Sequence, residues 1–218
     1  LRAYRWQWSI QKQLFAFSGK TLVSELSRTL RFQADSLFAA RLLSPELFGL
    51  YSFAKSAGLG ISQSFSQAYY ASIYPHLCDQ ARHDKLTVSN RQTWKLAILV
   101  CLAFLCQAFA AQFYVEWLFD ERWSDAVNLV SILCLMAIPT LLIDQYGLIY
   151  RALNAPLFEM KITLACTTLL VAAFAIIQPS SVYQIAFTLL GTSILWCSLM
   201  LCKPNSLSYP TLLRVQAI

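Results

Sequence analysis

The stretch from Leu14 to Leu43 sets the limits on what this chain can fold into. It is long enough to cross a bilayer, since ~20 helical residues span the ~30 Å hydrocarbon layer. Yet Lys20, Glu25, Arg28, Arg31 and Asp35 stand where hydrocarbon would be. At ~100° per residue, Lys20, Ser24, Ser27, Arg28, Arg31 and Asp35 share one sector of roughly 100°. Phe15, Leu22, Leu26, Leu30 and Leu37 fall opposite. Near a membrane centre Glu25, Arg28, Arg31 and Asp35 cost ~2.5–3.5 kcal/mol each, on the order of 12 together. Phe17, Leu22, Val23, Leu26, Leu30, Phe32, Leu37 and Phe38 return only ~0.3–0.6 each, about 4 in all. That balance forbids a helix surrounded by lipid. The polar sector must face protein or a water-filled cavity, which points to a transport pathway.

The rest of the chain demands a membrane. It is 57% hydrophobic and 13% charged, with mean hydropathy +0.51, whereas soluble domains run near ~25% charged. No short cleavable signal with a small-residue exit opens the sequence. The seven cysteines occur singly, with no Cys-x-x-Cys or Cys/His spacing, so buried reduced thiols are expected and a metal site is not. His76 and His83 fall in an expected loop. The net charge of +6 does not gather into a patch that would bind nucleic acid.

Hydropathy and turn residues divide the chain into six helices, an all-α polytopic membrane bundle. Residues 1–13 carry Arg2, Arg5, Lys12, Trp6 and Trp8 and read as an interfacial segment. The transmembrane lobe covers 14–203, and 204–218 form a tail. Helix one ends at Ser44-Pro45-Glu46. Helix two runs from Leu47 to Tyr74 and stops near Pro75, with Ser52, Lys55, Ser62, Gln63, Ser66 and Tyr70 on one side. Helix three spans Trp94 to Val115, helix four Ala126 to Ala152, helix five Phe158 to Ile177 and helix six Val182 to Cys202. Six crossings put both ends on one side. The basic residues agree: Arg2, Arg5, Lys12, Arg82, Lys85, Arg91, Lys95, Arg151, Lys161, Lys203 and Arg214 fall on that side, and only Arg41 and Arg122 on the other. By the positive-inside rule both ends are expected to be cytoplasmic.

The run from Gln33-Ala34-Asp35 through Arg41-Leu42-Leu43-Ser44-Pro45-Glu46-Leu47-Phe48-Gly49-Leu50-Tyr51-Ser52-Phe53-Ala54 carries a family signal. It resembles the start of the second half of bacterial polysaccharide flippases, the Wzx-type O-antigen and exopolysaccharide exporters. These belong to the multidrug/oligosaccharidyl-lipid/polysaccharide exporter superfamily. Tyr74-Pro75, Leu118-Phe119 with Trp123 and Ala126, and Arg151-Ala152-Leu153 continue the resemblance, which extends over about Leu14 to Pro156. Gln33 stands where that family tends to have Asn, and Ala40 and Asp120 where it tends to have Gly. The resemblance implies the C-terminal one of two six-helix lobes facing each other across a cavity, with an N-terminal lobe upstream. It implies a lipid-linked oligosaccharide as cargo, carried on a polyprenyl pyrophosphate across the bacterial inner membrane for O-antigen, lipopolysaccharide or exopolysaccharide synthesis.

Such a cargo has a polar sugar head and anionic phosphates. Arg28 and Arg31 are the best candidates for the phosphates, because a guanidinium presents a planar fork of donors. Lys20 and Lys55 add positive potential. Ser24, Ser62, Gln63, Ser66 and Tyr70 form the polar wall of the cavity, with Ser52 beside them. Glu25, Asp35 and Asp144 are candidates for ion coupling or for pairing. Plainer roles compete: Arg31 can pair with Asp35 four residues on, and Arg28 with Glu25 three residues back. Lys20 and Arg41 can snorkel to headgroups. There is no nucleophile with a base, no paired catalytic carboxylates and no nucleotide motif, so neither catalysis nor a cofactor is expected. Two other functions stay open, a drug or cation antiporter and a membrane scaffold subunit without transport. Lys20, Arg28, Arg31, Arg41 and Lys55 outnumber Glu25, Asp35 and Glu46 on the first two helices, which favours an anionic cargo over a cationic one.

Overall fold

A computed structural model describes residues 8–83, 91–118, 123 and 126–201. The described residues form six helices: α1 (Trp8–Leu42), α2 (Pro45–Arg82), α3 (Arg91–Leu118), α4 (Val127–Ala152), α5 (Pro156–Ile177) and α6 (Val182–Leu201). The chain is an all-α membrane bundle. Four helices, α3 to α6, are long and apolar enough to span a bilayer by themselves. α1 and α2 have 35 and 38 residues, ample length for a crossing. The interfacial segment expected over residues 1–13 lies mostly outside the described residues, and α1 already begins at Trp8. The tail expected over 204–218 lies wholly outside them.

α4 is the hub. Its apolar span is 56% buried inside the bundle, against 22% for the equally apolar α3. α2, α3, α5 and α6 surround α4, while α1 packs mainly along α5. The lipid-facing character expected of α3 follows, with Leu99, Phe109, Phe113 and Trp117 exposed.

α2 shows why one expected boundary moves. Pro75 removes a helical hydrogen bond and was expected to end the helix, but α2 continues to Arg82. Tyr69, Ile73 and Leu77 are buried at a four-residue spacing that passes through Pro75. The packing of that row offsets the missing bond. At its start, Ser44 caps the helix by accepting a hydrogen bond from the Leu47 amide at 3.4 Å, with Pro45 in the first turn.

α2 meets α4 through small residues. Ala54, Gly58 and Ser62 recur every fourth position and are all buried, the pattern that lets membrane helices approach closely. A Cβ at Gly58 would stand 3.1 Å from the Val130 carbonyl oxygen and 3.4 Å from Cys134 Sγ. Gln107 Nε2 of α3 donates to the Gly58 carbonyl at 3.0 Å, tying a third helix to the same point. Gly58→Val should therefore force α2 off α4 and cost about 1–3 kcal/mol. A lower melting temperature in detergent checks this, with Gly60→Val as control, because nothing lies within 4 Å of a Cβ at Gly60.

The α4–α5 turn is tight. Asn154 adopts a left-handed backbone, φ 56°, a conformation Asn tolerates well, and Pro156 starts α5 two residues later. The turn brings the last residues of α4 beside the first turn of α5.

Candidate functional site

α1 is amphipathic in the inverted sense that a membrane demands. Ser24, Ser27, Arg31, Ala34, Asp35 and Ala39 are buried, and Phe15, Leu22, Leu26, Leu30 and Leu37 point outward. The polar sector read from the sequence thus faces protein. Its hydroxyls meet α5: Ser24 Oγ lies 3.3 Å from Thr163 Oγ1, and Thr167 Oγ1 donates to the Ser27 carbonyl at 3.0 Å.

The charged residues join a network of six. Arg31 Nη2 pairs with Asp144 Oδ1 at 2.8 Å, and Arg31 Nη1 donates to Cys166 Sγ at 3.3 Å. Arg28 lies between three carboxylates: Glu25 at 3.1 Å, Asp144 at 3.4 Å and Glu159 at 3.6 Å. Arg151 Nη2 pairs with Glu25 Oε1 at 2.6 Å, and its Nε donates to Glu159 Oε2 at 2.9 Å. A further contact joins Arg151 Nη2 to Glu159 Oε1. Three arginines and three acids from α1, α4 and α5 cancel. The network runs from Arg31 and Asp144, the latter inside the α4 span, to Arg151 and Glu159 at the α4–α5 turn, and mutual pairing offsets the cost of holding these charges out of water.

Gly147 packs beside this network, with room for a methyl at van der Waals contact. A Cβ there would lie 3.4 Å from Glu159 Cγ and 3.8 Å from Arg28 Nη2.

A second buried cluster joins α1 to α2. Lys55 Nζ reaches Asp35 Oδ1 at 2.9 Å, Ser36 Oγ at 2.8 Å and the Phe32 carbonyl at 2.6 Å. It also lies 4.5 Å from the centre of the Phe32 ring. The Tyr51 hydroxyl donates to the other oxygen of Asp35.

Beside the first network lies a cavity of about 540 Å³ between α1, α2 and α4. Its charged wall is Glu25, Arg28, Arg31 and Asp144. Its neutral polar wall is Thr29, Gln33, Ser62, Gln63, Ser66, Gln67, Tyr70 and Thr140. The volume is in the range of small-molecule sites, which run ~300–1,000 Å³.

The sequence-read candidates divide between these places. Arg28, Arg31, Glu25, Asp144, Ser62, Gln63, Ser66 and Tyr70 share the cavity wall. Lys20, Ser24, Asp35 and Lys55 are not on it. Ser24 is sealed against Thr163, and Lys55 is spent on Asp35. The Arg28–Glu25 pair forms as one reading of their spacing allowed. The Arg31–Asp35 pair does not: Arg31 turns to Asp144 and Asp35 to Lys55. The basic excess counted on the first two helices is also corrected, because Asp144 and Glu159 arrive from α4 and α5 to offset it.

Two members of the network were not among the sequence candidates. Arg151 was read as a topological charge near a turn, and Glu159 was not singled out. The signal lay in their spacing: eight residues apart across Asn154-Ala155-Pro156, they face each other on an antiparallel helix pair.

A family model described as "Polysaccharide biosynthesis protein" matches residues 2–128, more than half of the chain. The match covers α1, α2 and α3, hence two of the three cavity-lining helices. No curated protein and no solved structure matches the chain. With six helices among the described residues, four of them apolar enough to span a bilayer alone, and a family match over the whole of the first three, the chain belongs to the polysaccharide biosynthesis protein family, as a membrane protein involved in polysaccharide synthesis or export.

Proposed function

We propose that this protein moves a lipid-linked oligosaccharide, carried on a polyprenyl pyrophosphate, across the bacterial inner membrane by alternating access. The carrying observation is the polar cavity between α1, α2 and α4, set at the depth of apolar spans and walled partly by Arg28 and Arg31. A hydrated pocket at that depth suits a sugar head, and two guanidiniums suit its phosphates. Gln33, Gln63 and Gln67 on the wall are exposed, an open polar mouth that a second six-helix lobe of the same exporter would complete. The basic-residue distribution supports an orientation with both ends cytoplasmic. A wall with two arginines and two acids gives no electrostatic ground against a cationic drug. The polysaccharide family favours the glycan cargo instead.

Obstructing the cavity tests this reading. Ser66 lines it, whereas Ser64 is exposed on the same helix and does not. Ser66→Trp should reduce surface polysaccharide about tenfold or more at unchanged membrane abundance, and Ser64→Trp should leave export intact. Normal polysaccharide in cells relying on Ser66→Trp would remove the cavity from the transport path.

A further inference from the structure

The network shields its arginines unevenly. Glu159 is fully enclosed and touches both Arg28 and Arg151. Glu25 touches the same two arginines from the cavity side, with 43% of its side chain exposed. Its Oε1 lies 2.6 Å from Arg151 Nη2 and 3.2 Å from Arg28 Nη1, and its Oε2 lies 3.1 Å from Arg28 Nη1. One carboxylate therefore bridges a guanidinium of α1 and one of α4. That is the arrangement in which a phosphoryl oxygen pair sits between two arginine forks.

Removing Glu25 from this position leaves neither arginine stranded. Arg28 keeps Asp144 and Glu159, and Arg151 keeps both oxygens of Glu159. Glu25 lines the open cavity and is already 43% exposed, so turning it away from the arginines toward solvent would cost little. The six charges sum to zero with Glu25 in place, so its departure leaves the Arg28–Arg151 end with one positive charge in excess.

We propose that Glu25 is a displaceable placeholder for a phosphoryl group. The diphosphate of the cargo takes the Glu25 position, and Arg151 is an anion-binding residue uncovered only by that exchange. The inference rests on the reading that a phosphate-bearing glycan enters this cavity. It adds a specificity rule: a neutral glycan does not compete with a carboxylate for two guanidiniums, and a diphosphate does. The same chemistry is offered by the headgroup of a bulk anionic phospholipid, so the test separates the two.

The full-length protein in neutral detergent is titrated with inorganic pyrophosphate by calorimetry. Glu25→Gln, which keeps volume but removes the competing charge, should tighten binding about tenfold. Adding Arg151→Lys, which preserves a cation for Glu159 but not the fork, should abolish that gain. Melting temperatures are followed in parallel. A Glu25 that merely braces α1 against α4 would lower the melting temperature and tighten nothing, overturning the proposal. So would a gain that survives Arg151→Lys. Pyrophosphate bound by the parent and Glu25→Gln alike defeats the placeholder and leaves the anionic-cargo reading standing. No binding by any folded variant defeats both. Binding that survives excess phosphatidylglycerol supports the cargo diphosphate, and binding lost at equimolar phosphatidylglycerol assigns the position to bulk lipid and overturns the proposal.

Discussion

Glu159→Leu is expected to cost about 3–5 kcal/mol of stability and to leave little folded protein in the membrane. The side chain is fully enclosed at the start of α5 and is the shared counter-ion of Arg151 and Arg28. Leucine leaves Arg151 with the half-exposed Glu25 alone, and a cation without its partner in low dielectric is costly. Total stabilities of folded proteins are only about 5–15 kcal/mol, so the loss is large. Glu159→Gln keeps the volume and an acceptor and should recover part of it. Quantitative blotting of membranes and thermal melting in detergent measure the effect. A Glu159→Leu protein that melts with the parent would show that the network contributes nothing to the fold.

The second large effect separates fold from transport at Arg31 and Asp144. Asp144→Asn leaves the nearly buried Arg31 with only Cys166, so this single variant is expected to lose abundance and export together. The double variant Arg31→Gln with Asp144→Asn removes both charges and keeps hydrogen-bonding groups of similar size. It should return to within about twofold of parental abundance, since the stranded charge is gone. Surface polysaccharide should nevertheless fall about tenfold or more, because a charge-assisted donor on the cavity wall has been lost. Normal export by the double variant would assign the pair to the fold alone.

Much of this arrangement was legible in the chain. An α1 surrounded by lipid was ruled out by charge alone, and its inner face is the polar one. The row Ser62, Gln63, Ser66 and Tyr70 could be placed together from helical spacing, and all four line the cavity. Asp144, the lone acid of an apolar helix, stood out for the same reason. Of the pairings, only Arg28 with Glu25 was legible. Spacing along one helix suggested Arg31 with Asp35, but that rule describes an isolated helix in water. In the bundle Arg31 meets Asp144 of α4, and Asp35 meets Lys55 and Tyr51 of α2. A side chain in low dielectric takes the partner that packing brings to it. Glu159 stayed hidden because an acid in the first turn of a helix already has an ordinary explanation in the helix dipole. The continuation of α2 past Pro75 depended on the partners of Ile73 and Leu77, which a proline rule does not see.

The α1 charges also bear on the order in which the protein is made. The ribosome releases Arg31 113 residues before Asp144, and Glu25 126 residues before Arg151. During that interval α1 has its internal Arg28–Glu25 pair but no partner for Arg31, so its polar side is poorly suited to acyl chains. The partners that settle Arg31 and complete the pairing of Glu25 are thus supplied by helices made later in the chain.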